Sequence, residues 1–404
     1  MYSSTQKLPQ RTSDAIATSC TILFGLFSFF YLFFLQSELL AEAQFVFSHG
    51  VTTYSSFFGA LMITIILILV QLLTARLSKL HGKTYAVTYF PSFMLLGVLS
   101  SIDRDVLADF SFGNWAWIMP LLLVMYCLVV LIIKQIEFHF SSFDDESHTS
   151  RYLWPNYLIL LIQILWCGSL QDADDVFLYE LKAEQYVIDG EYGKAAEVGR
   201  QSLRTSRRLN QLRCFALSQM GELGDRLFDY PQPYRGEGLI DITDTLAYER
   251  FTSRDVCEAL GTYCGKSIRS VNRYLDIVME SETARTDTLV GEYYLCNRLL
   301  NNDLQGFLRT LPLYHNITDS TPLTDLPKTY KEALVIEASA ISEDSLNNFC
   351  DSLILQSYRE YKALQEAYKD DTERLNYSRR QFGNTYFFHH DYCGNSVLLS
   401  EYDR

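Results

Sequence analysis

The stretch from Asp175 to Tyr230, DVFLYELKAEQYVIDGEYGKAAEVGRQSLRTSRRLNQLRCFALSQMGELGDRLFDY, follows directly on an apolar N-terminal third of the chain. Its apolar and small residues recur three and four positions apart over Asp175–Ile188, which is typical of an amphipathic helix. Asp189 and Gly190 form a turn signal, and the helical pattern resumes over Tyr192–Leu203. The stretch therefore predicts a helical hairpin.

Five residues of this hairpin carry a resemblance to a known repeat, namely Tyr179, Ala183, Tyr186, Tyr192 and Ala195. At these positions the hairpin resembles a tetratricopeptide repeat. The resemblance implies that the five side chains pack the two helices together, with small residues where the helices approach and aromatic rings beside them. The hairpin departs from that pattern at Lys182, where an apolar residue is usual, and at Arg207, where a closing proline is common. Because a helical hairpin cannot bury its apolar stripe alone, the resemblance implies neighbouring hairpins.

Further helical segments follow to the end of the chain, interrupted by an irregular loop at 229–245 and closed by an aromatic segment at 383–404. We predict helices at Leu209–Met220, Leu223–Phe228, Leu246–Tyr263, Lys266–Val278, Thr288–Leu300, Leu304–Leu311, Pro327–Ala338, Ser345–Tyr368 and Asp371–Phe382. The predicted fold is all-α, with an N-terminal bundle of about five transmembrane helices followed by a tetratricopeptide-like α-solenoid of antiparallel helix pairs.

Five segments of the N-terminal third are apolar and approach the roughly 20 residues that a membrane-spanning helix needs. They lie at Ala15–Leu35, Tyr54–Thr74, Tyr85–Ser100, Trp115–Ile133 and Tyr152–Leu170. None has an Asp, Glu, Lys, Arg or His in its interior, whereas ion-coupled transporters generally keep such residues. We therefore predict a multi-pass transmembrane domain over residues 1–170 that serves as an anchor, and an extracytoplasmic helical-repeat domain over 171–404.

The basic residues of the N-terminal third predict the orientation of the spans, because Lys and Arg are enriched in cytoplasmic loops. They cluster before the first span, between the second and third, and around the loop between the fourth and fifth, at Lys7, Arg11, Arg76, Lys79, Lys83, Lys134 and Arg151. This pattern places the N-terminus in the cytoplasm. The C-terminal domain is then expected in the periplasm of a bacterium, with the chain in the inner membrane.

The charge balance of the chain limits the classes of partner that it can bind. The chain has 34 Lys and Arg against 48 Asp and Glu, a formal net charge of −14, and most of this excess lies in residues 171–404. Such a surface repels phosphate backbones and argues against nucleic-acid binding. The nine cysteines contain no CxxC pair, and Cys257 and Cys264 are expected not to pair with each other. Whether any cysteines pair stays open.

Few residues of the chain suggest a catalytic or metal-binding site. His389, His390, Asp391 and Cys393 form the densest group of metal-ligating side chains, but the aromatic residues around them favour a segment that covers the end of the array. No nucleophile elbow, Walker loop or dinucleotide fingerprint occurs. We predict no catalytic residue, no metal and no cofactor.

Three arginines at the end of the predicted hairpin are the candidate partner-binding residues, namely Arg204, Arg207 and Arg208. Basic side chains at the C-terminal end of a helix also suit its dipole, which is the structural alternative.

Three further runs, together with the apolar spans, carry a wider resemblance. They are MGELGDRLFDYPQ from Met220, LPKTYKEAL from Leu326 and FGNTYFF from Phe382. The chain resembles an uncharacterised family of Gram-negative multi-pass membrane proteins with a tetratricopeptide-like C-terminal region. This resemblance implies architecture but no activity.

These observations favour a membrane-anchored scaffold or adaptor that is not an enzyme and binds a protein or peptide partner at the periplasmic face of the inner membrane. The alternative is a membrane enzyme or transporter acting on lipid or envelope glycan, with the repeat region as an accessory. That alternative needs polar residues to converge at the membrane face, where the candidates are Asp103, Arg104, Asp105, Asp109 and Asp172. A third reading is a structural subunit of a larger complex.

Overall fold

A computed structural model describes residues 10–48, 51–102, 114–140, 150–169, 175–240, 242, 250–262, 268, 270–315, 325–347 and 351–393. Within these ranges the chain forms helices and connecting turns, with no strand. It divides into two compact units. The first comprises Met1–Leu178 with Leu246–Tyr248, and the second comprises Tyr179–Thr245 with Glu249–Arg404.

The first unit is built from long apolar helices. They are α1 (Gln10–Phe30), continued by a π-helical turn at Tyr31–Leu35, then α2 (Ser37–Phe47), α3 (Ser56–Ser78), α4 (Phe90–Ser100), α5 (Trp115–Phe140) and α6 (Ser150–Ser169). A 3-10 helix at Gly82–Tyr89 leads into α4. Aromatic rings fill the centre of the unit, where Phe24 lies 5.0 Å from both Tyr89 and Phe93 between ring centroids.

Three helices in the described ranges are long and apolar enough to cross a membrane, at Ser13–Leu35, Ser56–Ser78 and Trp115–Ile136. They coincide with the first, second and fourth predicted spans. Many of their large apolar side chains are exposed, including Phe34, Leu69 and Leu131. Exposed apolar surface on this scale indicates membrane association.

The third and fifth predicted spans are not confirmed. The segment predicted at Tyr85–Ser100 forms a 3-10 turn and an α4 of 11 residues. A helix of that length rises about 16 Å, which is less than the hydrocarbon thickness of a bilayer. The segment predicted at Tyr152–Leu170 lies in α6, which has 20 residues but contains Pro155 and a polar face.

That polar face of α6 supports the 3-10 segment. Asn156 accepts a hydrogen bond from the backbone N–H of Ala86 and donates one to the carbonyl of Gly82, both at 2.7 Å. From α3, Gln71 donates to Thr88 at 3.1 Å. Asn156 therefore supplies partners for two backbone groups of the 3-10 helix, whereas Gln71 binds the Thr88 hydroxyl.

The second unit consists of shorter helices. They are most of α7 (Asp175–Ile188), α8 (Tyr192–Glu197), α9 (Arg207–Gln219), α10 (Leu223–Arg226), α11 (Ser253–Ala259), α12 (Val271–Glu280), α13 (Glu282–Arg285), α14 (Thr288–Leu300), α15 (Leu304–Tyr314), α16 (Lys328–Ile341), α17 (Glu343–Asn347), α18 (Ser352–Ala367), α19 (Asp371–Phe382) and α20 (Tyr386–Tyr392). A 3-10 turn occupies Arg235–Gly238 in the predicted irregular loop.

Several predicted helices are shorter than expected. The helix predicted at Leu223–Phe228 ends at Arg226, the one predicted at Lys266–Val278 begins at Val271, and the one predicted at Ser345–Tyr368 is interrupted at Asp351. The helix predicted at Tyr192–Leu203 ends at Glu197, because Gly199 adopts a φ of +65° that a right-handed helix cannot continue through. The helix predicted at Leu246–Tyr263 begins only at Ser253. Thr252 and Asp255 form a capping box there, and the part of the prediction at 246–249 lies outside the described residues.

The last helices of the unit share an aromatic core. Its members are Val335, Tyr358, Tyr361, Leu364, Leu375, Phe382, Phe387 and Phe388. In this core α16 packs against α18 and α20, and α18 packs against α19. Elsewhere in the unit α14 packs against α15, and α10 packs against both α14 and α16. This packing brings several helix ends together, and the candidate site lies among them.

Candidate functional site

The five residues predicted to pack the hairpin are buried to different degrees. Ala183 and Ala195 have no exposed surface, whereas Tyr179, Tyr186 and Tyr192 are half-buried. Both small residues are therefore buried in the structure, and their role in packing the two helices of the hairpin stays a prediction. Their correspondence to tetratricopeptide positions stays a prediction.

Arg213 on α9 is a fully buried residue that the sequence analysis missed. Its guanidinium donates to the carbonyl of Val198 at 2.6 and 3.1 Å and stacks on the ring of Tyr230, 4.3 Å from the centroid. Burial lowers the pKa of Arg213 to about 10. Since Val198 follows the last residue of α8, Arg213 caps that helix and ties it to α9. In the sequence it reads only as a polar interruption between Leu212 and Cys214.

The three candidate partner-binding arginines differ in the exposure and in the contacts of their side chains. Arg208 forms an ion pair with the buried Glu184 at 2.5 Å and also donates to the carbonyl of Phe251. Arg204 and Arg207 are exposed. Arg208 thus belongs to an internal contact, and a partner-binding role remains a prediction for all three.

The second unit contains a cavity of about 690 Å³. It lies among the C-terminal end of α9, α10, the first turns of α14, the end of α15, and the N-terminal ends of α16 and α18. Its lining is mixed, with Ser218, Leu289, Tyr314, Lys331 and Ile354 among its residues. Volumes of 300–1,000 Å³ with a mixed lining are typical of ligand-binding sites.

Two carboxylates lie in one part of this cavity and accept hydrogen bonds from backbone N–H groups. Asp225 accepts from the N–H of Lys328 at 2.7 Å, and Glu292 accepts from the N–H of Gly224 at 3.0 Å. Burial and, to a smaller extent, the Asp225 carboxylate raise the pKa of Glu292, although the Gly224 N–H opposes the shift. Both carboxylates belong to the lining of the same cavity.

The two lysines of the cavity are engaged with other carboxylates. Lys331 forms an ion pair with Asp351 at 3.2 Å, and Lys328 lies 3.7 Å from Glu332. Burial raises the pKa of Asp351, but its hydrogen bonds with the Ile354 N–H and with Lys331 leave it below its usual value.

Aromatic residues form another part of the lining. The ring of Tyr314 lies over Gly291, where a Cβ would come within 2.3 Å of the ring carbons. His315 contacts the edge of Tyr330, with 5.7 Å between ring centroids, and burial lowers the pKa of His315. The absence of a side chain at Gly291 therefore allows the end of α15 to approach the start of α14.

The densest group of potential metal ligands in the sequence, near the C-terminal end, is divided between two sets of contacts. His389 is hydrogen-bonded to the carbonyl of Leu300 at 2.9 Å, and burial lowers its pKa to about 4. His390 contacts Asp391 at 3.0 Å, while Asp391 accepts a hydrogen bond from Tyr361 at 2.7 Å. Within the described ranges no group of three or more metal-ligating side chains is arranged to hold an ion.

Glu332 joins the same C-terminal helix to α16. It is 1% exposed and accepts a hydrogen bond from the backbone N–H of Tyr386 at 2.7 Å. Burial raises the pKa of Glu332 to about 7, although Lys328 and the Tyr386 N–H favour the charged form.

The cysteines of the second unit are not equivalent. Cys257 on α11 is disulfide-bonded, and its partner lies outside the described residues. Cys214, Cys296 and Cys393 are free thiols. The first two are fully buried, and burial raises the pKa of Cys214 to about 12, so neither is suited to thiolate chemistry.

The residues expected to converge at the membrane face, Asp103, Arg104, Asp105, Asp109 and Asp172, lie outside the described residues. A different acidic residue, Glu42 on α2, is fully buried in the first unit. It escaped the sequence analysis because it lies between the first two predicted spans. Its spacing from Leu39 and Val46, three and four positions away, is the signal that would have placed it on the apolar face of α2.

Comparison with known families accounts for most of the chain. A family described as a family of unknown function (DUF6057) matches residues 106–264 and 265–392, which is more than half of the sequence. The chain belongs to the DUF6057 family. No curated protein and no solved structure matches it. The match includes all helices that line the cavity of this DUF6057 protein, from α9 to α18.

Proposed function

We propose that this DUF6057 protein is a membrane-anchored scaffold or adaptor whose second unit binds a polypeptide partner in the cavity among α9, α14, α16 and α18. The observation that carries the proposal is the cavity itself, with its volume of about 690 Å³ and its combination of charged, aromatic and apolar lining. Leu353 at its edge is 76% exposed, so the cavity opens beside apolar surface. Such a combination suits side-chain recognition better than binding of a small inorganic ion.

The wider setting of the proposal follows from the sequence. The resemblance of the Asp175–Ile188 segment and its neighbours to tetratricopeptide repeats supports an α-solenoid, in which concave surfaces receive peptides. The basic residues around the spans support an N-terminus in the cytoplasm and a periplasmic second unit, in the inner membrane of a Gram-negative bacterium. A chain with five spans and a chain with three spans both place the two ends of the spanning region on opposite sides of the membrane, so either number is compatible with this topology.

Photo-crosslinking at the cavity tests the proposed function. A photoreactive residue at Leu353 should yield a discrete adduct in native membranes, whereas the same residue at Ile341, which is 68% exposed and does not line the cavity, should not. The Leu289→Glu substitution inside the cavity should suppress the adduct at least fivefold. Leu313→Glu, on an exposed residue outside the lining, is its matched control. Equal adducts from both positions, or none from Leu353, would refute the proposal.

The alternative of a membrane enzyme or transporter acting on lipid or envelope glycan is supported by one observation, the burial of Glu42. Acidic side chains inside a unit of membrane-length apolar helices are usually retained for function. If Glu42→Gln abolishes biological activity while Glu38→Gln and the cavity variants do not, this alternative replaces the scaffold.

A further inference from the structure

The cavity is not electrostatically balanced. Asp351 in its lining forms an ion pair with Lys331. Asp225 and Glu292 accept hydrogen bonds from backbone N–H groups, but neither forms an ion pair with another described residue. These two carboxylates therefore leave negative charge at the cavity.

Mutual repulsion makes this pair of carboxylates receptive to a cation. Both carboxylates line the same cavity, and after burial the Asp225 carboxylate is a further cause that raises the pKa of Glu292. A positive charge placed between them would favour the ionised form of both. The backbone N–H donors of Gly224 and Lys328 keep the carboxylate oxygens in place, so little rearrangement would be needed.

The rest of the lining favours an organic cation over a metal ion. No set of three metal-ligating side chains is present in the part of the chain that the structure describes. The volume of about 690 Å³ is far larger than a metal ion requires. The rings of Tyr314 and Tyr330 and the side chain of Leu289 offer aromatic and apolar surface. Such surface suits the methylene stem and charged head of a lysine or arginine.

We infer that the cavity recognises a lysine or arginine side chain of the bound polypeptide, with Asp225 and Glu292 as the residues that contact its positive charge and Tyr314 and Leu289 beside its stem. This inference rests on the proposed function and names the chemistry that its partner must carry. Leu353 and Ile354, at the edge of the cavity, would contact an apolar residue next to the basic one.

Selection from a random peptide library on the detergent-solubilised full chain tests the inference. The probe is a displayed library of random nonapeptides, selected on the wild-type chain and on the Asp225→Asn/Glu292→Gln double variant. These substitutions keep an oxygen acceptor for the N–H groups of Lys328 and Gly224, so folding should be preserved, and a thermal melt checks this. The control variant is Glu366→Gln, which removes one charge from an exposed position of α18.

We expect wild type and Glu366→Gln to select peptides with Lys or Arg at one position. The double variant should lose that enrichment and bind the selected peptides at least tenfold more weakly. Replacing the selected basic residue by norleucine should weaken binding by a similar factor. Spermidine at the peptide concentration should not compete, since a free amine lacks the flanking contacts.

The possible failures are distinguishable. If the selected peptides have no basic position, or if the double variant still selects one, the inference is wrong and the proposed function still stands. Equal competition by spermidine overturns the polypeptide source of the cation. If no peptide is selected by the wild-type chain, both the inference and the proposed function fall.

Discussion

At the scale of single residues, two buried titratable groups hold α20 in place and respond to pH in opposite directions. Glu332 accepts the N–H of Tyr386 and has a pKa raised to about 7, mainly by burial. His389 is bonded to the carbonyl of Leu300 and has a pKa lowered to about 4, also by burial. The folded state therefore favours the neutral form of both groups.

Opposite shifts give opposite pH dependences. For Glu332 the folded pKa lies above the unfolded value of 4.5, so its stabilising contribution is complete below pH 4.5 and is lost as the pH rises through 7. For His389 the folded pKa lies below 6.5, so its contribution is complete above pH 6.5 and is lost as the pH falls through 4. Glu332 accounts for about 3 kcal/mol by this relation.

The Glu332→Gln variant should therefore lose stability of α20 on acidification from pH 7 to pH 5, because only the His389 effect remains. The His389→Gln variant should gain stability over the same interval. Hydrogen exchange of the α20 amides, corrected for intrinsic rates at each pH, measures both changes. Parallel profiles for the wild type and both variants would contradict the assignment.

At the scale of elements, helix ends decide which predictions succeed. The helices predicted at Thr288–Leu300 and Asp371–Phe382 have the expected bounds, because Asp287 and Asp370 cap their first turns. The helix predicted at Tyr192–Leu203 is wrong beyond Glu197. Gly199 ends it with a φ of +65°, and Arg213 from the next helix then caps the Val198 carbonyl. Periodicity within a segment carries no information about a cap that another segment supplies.

The candidate site could not be predicted for the same reason. Its two carboxylates, Asp225 and Glu292, are 67 positions apart in the sequence, and each is one of many acidic residues on predicted helices. Only the packing of α10 against α14 and α16 brings them together. The composition predicts an acidic helical region. Which of its acidic side chains lie close together can be read only from the fold.

The 3-10 segment at Gly82–Tyr89 gives a prediction at this scale. Asn156→Leu removes the partners of the Ala86 N–H and the Gly82 carbonyl, and we expect about 2–4 kcal/mol of destabilisation of the first unit. All four tryptophans lie at positions 115–166, so tryptophan fluorescence during unfolding reports on this unit alone.

The control for this prediction is Gln163→Leu on the same helix. Gln163 makes one long hydrogen bond of 3.4 Å to Ala86, and its side-chain oxygen is buried with no hydrogen-bond partner in the described chain. Its replacement should change stability by less than about 1 kcal/mol. A larger effect from Gln163→Leu than from Asn156→Leu would contradict the role given to Asn156.

At the scale of the whole molecule, the disulfide of Cys257 bears on the orientation in the membrane. Disulfides persist in the periplasm and are reduced in the bacterial cytoplasm. An oxidised Cys257 therefore supports the proposed periplasmic location of the second unit, independently of the basic residues that suggested it. The first unit alone offers no such marker, because Cys20, Cys127 and Cys167 are free thiols.

We expect Cys257 to be oxidised in cells and to resist a thiol-reactive maleimide until the protein is reduced. In the wild-type chain, denatured and then digested, the peptide that contains Cys257 should carry the reagent only after reduction. Cys393, a half-buried free thiol, is the matched control and should react without a reductant. A cysteine in a disulfide does not react with a maleimide even in denatured protein. A difference between Cys257 and Cys393 in denatured protein therefore reports the redox state of Cys257 and not its accessibility. Labelling of Cys257 in unreduced, denatured protein from growing cells would place the second unit in a reducing compartment and reverse the proposed topology.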